Sequence, residues 1–314
     1  MPIALRALLL ALLIAAPARS QQVPLVVPPR PVTPPVVVAA PPVTAATRTI
    51  VFVGNSFTFG ALTPVERFRA DTVTDLNGTG VGGVPALFKA FTLAVGLDYR
   101  VSLETVGGAG LDLHWTEKRA LLDRAWDVVV LQGYSTLDRE KPGDGASHSR
   151  HAGLLARMAE AANPKVRVEL VATWSRADQV WQPEGHWYGE PIERMADDLQ
   201  RATVRAVRSS RAIDGAIPVG RAWNRAFATG LADPNPYDGI DAGQISLWAS
   251  DQYHASTAGY YLSALVIFGK VTGRDPRSLT RHERAARELG LPPEQVAALQ
   301  AIAHDTLRRD GRAR

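Results

Sequence analysis

Five short runs of aliphatic and β-branched residues, each followed by a stretch with helical spacing, constrain this chain more than any other feature. The runs are Thr49–Val53, Tyr99–Val106, Asp127–Leu131, Val166–Thr173 and, more weakly, Ala216–Val219. Runs of this kind, apolar at successive positions, suit strands covered on both faces, as in a parallel sheet. Between and after them, Pro85–Val95, Lys118–Ala125, His151–Ala162, Pro191–Ser209 and Ser256–Thr272 carry apolar residues three and four apart, the period of a helix with one buried face. Strand–helix alternation predicts one doubly wound α/β domain over residues 49–277: a three-layer α/β/α sandwich on a central, mostly parallel five-stranded sheet. In such sheets the chemistry gathers in the loops beyond the carboxyl ends of the strands. Residues 278–314, with candidate helices at Arg281–Leu289 and Pro293–Arg308, read as a C-terminal helical appendage with a basic tail.

The N-terminus has a different character. Residues 1–20 place Arg6 before an apolar run, Ala7–Ala16, and end in Ala18-Arg19-Ser20, the pattern of a secretory signal peptide. Ten apolar residues are too few to span about 30 Å of hydrocarbon, so no transmembrane segment is expected once it is removed. The expected location is secreted or periplasmic. Residues 21–48 are rich in Pro, Val and Ala, a composition that loses backbone donors and favours an extended spacer. The formal charge of +4 suggests nucleic-acid binding until its distribution is read. Residues 49–307 hold 27 basic and 30 acidic side chains, so the excess of positive charge lies at the two ends and no nucleic-acid partner is expected.

With no cysteine, a thiol nucleophile, a disulfide framework and cysteine metal sites are excluded. Four strand-end constellations carry the remaining chemistry. The first strand runs into Gly54-Asn55-Ser56-Phe57-Thr58, where a glycine permits a sharp turn and a serine follows at the top of the sheet; a plain Asx or Ser turn fits equally. The second runs into Gly107-Gly108-Ala109-Gly110, whose backbone N–H groups can face an anion. The third ends in Gln132, an amide that must find partners if buried: a reacting oxygen, or a neighbouring loop carbonyl. The fourth is Asp251-Gln252-Tyr253-His254 before the last long helix, where a carboxylate three residues ahead of an imidazole can fix one ring nitrogen and leave the other as a base. No second Asp/His cluster completes a metal site around it, so neither metal nor organic cofactor is expected. Aromatic and polar residues near strand ends, among them His114, Trp115 and Trp174, are candidate substrate contacts, as are Asn55 and Gly108.

Taken together, the order of these motifs resembles the SGNH (GDSL-like) hydrolase superfamily, whose fold is flavodoxin-like. The resemblance implies a nucleophile at Ser56, a triad completed by Asp251 and His254, and an oxyanion hole from Ser56, Gly110 or Gly108, and a side-chain amide. Two motifs depart from the pattern. The first block reads Gly-Asn-Ser rather than Gly-Asp-Ser, similar to a Gly-Asn-Ser-Phe-Thr branch. The third lacks Gly-x-Asn-Asp, and its nearest equivalent, Gln132-Gly133-Tyr134-Ser135, implies Gln132 as the third donor with Ser135 as the alternative. The implied activity is a secreted serine esterase removing acyl groups, acetyl above all, from a small-molecule or glycan ester. A lipase or thioesterase on small acyl esters, and a catalytically silent carbohydrate-binding envelope protein, are the other readings.

Overall fold

A computed structural model describes residues 47–312. The signal-peptide reading of residues 1–20 and the spacer reading of 21–46 lie outside the described residues. Arg48 is not the last residue of the spacer: it opens the first strand and pairs with Tyr99.

Six strands form one sheet: β1 (Arg48–Gly54), β2 (Thr74–Asp75), β3 (Tyr99–Thr105), β4 (Val128–Leu131), β5 (Arg167–Ala172) and β6 (Gly215–Pro218), in the order β2-β3-β1-β4-β5-β6. Every pairing between them is parallel. The five expected strands are present, and β2 makes a sixth. Two residues, Thr74 and Asp75, carry no hydrophobic run, and only their pairing with Ser102 and Leu103 makes them a strand. The glycine-rich turn after β2 is held down: the Asp75 carboxylate accepts from the N–H groups of Thr79 at 2.7 Å and Gly80 at 2.8 Å, and Arg67 donates to the carbonyls of both.

The helices are α1 (Ser56–Phe59), α2 (Gly83–Ala94), α3 (Leu111–Glu117), α4 (Arg119–Leu122), α5 (Ala146–Ala162), α6 (Ala177–Trp181), α7 (Glu193–Ser209), α8 (Val219–Ala228), α9 (Thr257–Thr272), α10 (Arg284–Glu288) and α11 (Pro293–Arg312). Side chains of a strand alternate between its faces, and the core divides accordingly. Ile50, Phe52, Val128 and Val130 join the larger cluster, with α2, α8 and α9, while Val51, Val53, Val129 and Leu131 face the smaller one, with α3 and α5. Helix α9 is apolar nearly all round because it is enclosed on every side; Tyr260, Tyr261, Leu265 and Phe268 have no exposed surface. The segment read as an appendage shares that core, for Val296, Leu299, Ile302 and Ala303 of α11 are buried in the larger cluster. No described helix is long and apolar enough to cross a membrane.

Candidate active site

Because all six strands run the same way, the exits of β1, β3, β4 and β5 open on one edge of the sheet, where the loop before α9 also arrives. β1 ends at Gly54, where a Cβ would stand 2.2 Å from Thr58 Oγ1 and 2.7 Å from Gln132 Oε1, so only glycine fits. Asn55 follows in extended conformation as the N-cap of α1, its Oδ1 accepting from Phe57 N at 3.0 Å. Its Nδ2 donates to the carbonyls of Ala109 at 2.8 Å and Gly133 at 3.2 Å. One amide therefore ties together the turns after β1, β3 and β4. Ser56 is the first helical residue and is largely buried, and its carbonyl accepts from Tyr260 Oη at 3.1 Å.

The backbone N–H groups of Ser56, in the first turn of α1, and of Gly110, the N-cap of α3, make no hydrogen bond among the described residues. Gln132 uses its amide differently from the expectation. Its Oε1 accepts from Asn55 N at 3.0 Å and Thr58 Oγ1 at 2.9 Å, and its Nε2 donates to the Gly133 carbonyl. Its Oε1 thus braces the β1 turn, and one of the two N–H groups of Nε2 is spent on the nearest backbone carbonyl. Ser135, the alternative donor, is buried and accepts from Arg176 Nη1 at 3.2 Å.

In the loop before α9, Asp251 Oδ2 lies 2.6 Å from His254 Nδ1, and Oδ1 accepts from the backbone N–H of His254 at 2.9 Å and of Tyr253 at 3.1 Å. Burial alone would raise the Asp251 pKa. The bonds from the His254 side chain and from the two backbone N–H groups outweigh it and hold the carboxyl below its ordinary value, so it stays ionised beside the ring. His254 Nε2 is buried and has no partner. The imidazole packs edge-on to Phe57, the residue after Ser56, with centroids 5.7 Å apart, and to Tyr253 at 4.2 Å. Phe57 in turn stacks on Trp174 at 4.1 Å and Trp174 on Trp223 at 4.8 Å, so the imidazole sits at the outer end of an aromatic column rising from the core.

The column takes up one of the candidate substrate contacts, and the packing elsewhere places the others. Trp174 is 2% exposed, sandwiched between two rings, and offers no free face to a sugar. His114 has no exposed surface: its Nδ1 meets the Glu104 carboxylate, which also accepts from Asn77 Nδ2 at 2.9 Å. Trp115 packs against the smaller core cluster, with the Arg119 guanidinium 5.0 Å from its ring centroid. Asn55 is interior bracing. Gly108 does line a cavity of about 280 Å³, together with Gly110, Asp112, Tyr134, Asp138 and Arg139, among others, and its carbonyl accepts from Arg139 Nη2 at 2.8 Å. Among the described residues, no group of three or more His, Asp or Glu side chains could hold a metal ion.

Sequence reasoning missed Arg176 and Tyr253. The Arg176 guanidinium lies 3.9 Å from the Tyr253 ring centroid and binds Asp178. A lone arginine after a strand gives no signal of its own, and only the packing of two distant loops makes it part of this site.

No protein-family model matches the chain, and no curated protein matches it in sequence. Solved structures do. A DUF4886 family protein from Bacteroides uniformis superposes with a TM-score of 0.57 at 19% identity, over 83% of this chain and 95% of that one. TesA gives a TM-score of 0.48 at 15% identity, over 72% and 99%. A mutant of Axe2, an acetyl-xylooligosaccharide esterase from Geobacillus, gives 0.45 at 17%, over 72% and 94%. The first likeness establishes a shared fold. That fold is a three-layer α/β/α sandwich on a parallel sheet.

Proposed function

We propose that this protein is a secreted serine esterase that hydrolyses O-acyl esters, acetyl esters of carbohydrate above all. The observation that carries the reading is the Asp251–His254 pair, with Nδ1 engaged at 2.6 Å, Nε2 unpartnered, and the ring packed against the residue next to Ser56. In this reading His254 Nε2 takes the Ser56 proton as Oγ attacks the ester carbonyl, and Asp251 holds the tautomer and stabilises the imidazolium. The tetrahedral oxyanion is met by the free N–H groups of Ser56 and Gly110. His254 then protonates the leaving alcohol, and water, deprotonated by the same imidazole, releases the acid and restores Ser56.

The polar cavity beside Gly110, lined by carboxylates, Tyr134 and Arg139, supports a polyhydroxylated alcohol. Export rests on the signal-like residues 1–20. Hydrolysis of p-nitrophenyl acetate by wild type and Ser56→Ala tests the chemistry. The expected loss is several orders of magnitude in kcat at unchanged folding, and equal background rates for the two folded proteins would reject it. Acetyl esters should be cleaved faster than octanoyl esters, and acetylated xylo-oligosaccharide is the first glycan to try.

A further inference from the structure

The loop that carries Asp251 and His254 is braced from outside by the chain leaving β5. Gln252 in that loop has φ +57°, left-handed backbone in a residue other than glycine, a conformation that persists only where surroundings impose it. The surroundings are residues 174–178. Trp174 Nε1 donates to the Tyr253 carbonyl at 3.4 Å, Ala177 N to the Gln252 carbonyl at 3.2 Å, and Trp248 Nε1 to the Ser175 carbonyl at 3.0 Å. Arg176 adds the side-chain contact. Its guanidinium covers the Tyr253 ring at 3.9 Å, and that ring meets the His254 imidazole at 4.2 Å.

The same guanidinium is not free to hold a substrate anion. Nε and Nη2 bind the two carboxylate oxygens of Asp178, at 3.0 and 2.5 Å, and Nη1 donates to Ser135 Oγ at 3.2 Å in the loop after β4. Fixed on two sides, the planar fork is a rigid plate against which Tyr253 is pressed. We infer that Arg176 is a positioning residue, which through Tyr253 holds the His254 imidazole in place for proton transfer, and that Asp178 and Ser135 hold Arg176. For its effect on rate, the inference rests on the esterase reading.

Two readouts on Arg176→Ala test it. With p-nitrophenyl acetate, kcat should fall about 10- to 100-fold while KM stays within about threefold, because a displacement near 1 Å at the base impairs reaction more than binding. Independently of activity, the low-field proton resonance of the His254–Asp251 hydrogen bond, assigned by its loss in His254→Ala, should broaden or vanish. Should the alanine variant not fold, Arg176→Lys, which keeps the cation over Tyr253 but not the fork to Asp178 and Ser135, is read in the same way, with about a 3- to 10-fold loss in kcat expected. An unchanged kcat, or a fallen kcat with the resonance still sharp, would overturn the inference. Wild type without hydrolytic activity would sink the esterase reading alone. The resonance would then decide the positioning role: lost in the variant it supports the role, sharp in the variant it refutes it.

Discussion

Replacing Asn55 by aspartate would turn the Gly-Asn-Ser turn into the commoner Gly-Asp-Ser of the superfamily the chain resembles, and the structure predicts that this chain will not tolerate it. Asn55 is 2% exposed and makes three bonds with its side chain. The Oδ1 cap on Phe57 N survives the substitution. The two donations, at 2.8 Å to Ala109 O and 3.2 Å to Gly133 O, do not, because an ionised carboxylate has no proton to give. Gly133 O keeps its bond from Gln132 Nε2, so only Ala109 O is orphaned, and Asn55→Asp should cost about 1–3 kcal/mol before repulsion between the carboxylate and the two carbonyl oxygens is added. At about 2–4 °C per kcal/mol, the melting temperature should drop by roughly 2–12 °C from the lost bond alone. Burial raises the pKa of the introduced carboxyl above its unfolded value, so the folded state keeps it protonated while the unfolded state ionises. The deficit therefore grows as the pH rises from about 4 and levels off above the raised pKa. Urea unfolding followed by tryptophan fluorescence at pH 5 and pH 8, with the m-value checked for constancy, measures both effects. A variant within about 1 kcal/mol of wild type at pH 8 would refute the argument that one amide holds the three turns together.

Two further outcomes follow from the same region. His148 is buried against Gly133, where a Cβ would stand 2.3 Å from its Nδ1; neither ring nitrogen has a partner, and burial pushes its pKa from 6.5 to about 4. The unfolded chain takes up this proton at higher pH than the folded one, so stability should decline as pH falls from 6.5 towards 4, by roughly 3 kcal/mol. His148→Leu should flatten that part of the profile in urea unfolding at pH 7.5 and 4.5, and an undiminished slope would contradict it. Gln132→Leu orphans Asn55 N and Thr58 Oγ1, so a loss of about 2–6 kcal/mol in thermal and urea unfolding is expected. A variant of wild-type stability with kcat lowered about 10²- to 10³-fold would instead mark Gln132 as an oxyanion donor.

Much of this architecture was legible in the sequence because it rests on local patterns. Strands β1, β3, β4 and β5 announce themselves as apolar runs, and α9 as a long apolar helix after Ser256, whose Oγ accepts from Gly259 N. The Asp251–His254 pair was legible for the same reason: three residues in one tight turn leave the carboxylate little choice but the neighbouring ring. Strand β2 was not, since two polar residues become a strand only when β3 lies alongside. Nor were the roles of Trp174 and His114, because exposure is not written in residue type: an aromatic ring near a strand end packs the core or greets a ligand according to what lies above it. The sequence by itself determined the layering, the edge of the sheet where the strand-end motifs meet, and the Asp251–His254 pair. Only the tertiary structure decided that Asn55 and Gln132 spend their amides on tying turns together, and that Arg176 reaches across to Tyr253. Those bonds join residues about 54 to 78 positions apart or, for Arg176 and Tyr253, elements on different loops. A hydrogen-bonding side chain takes whichever partner the fold brings within about 3 Å, and no local pattern records that choice.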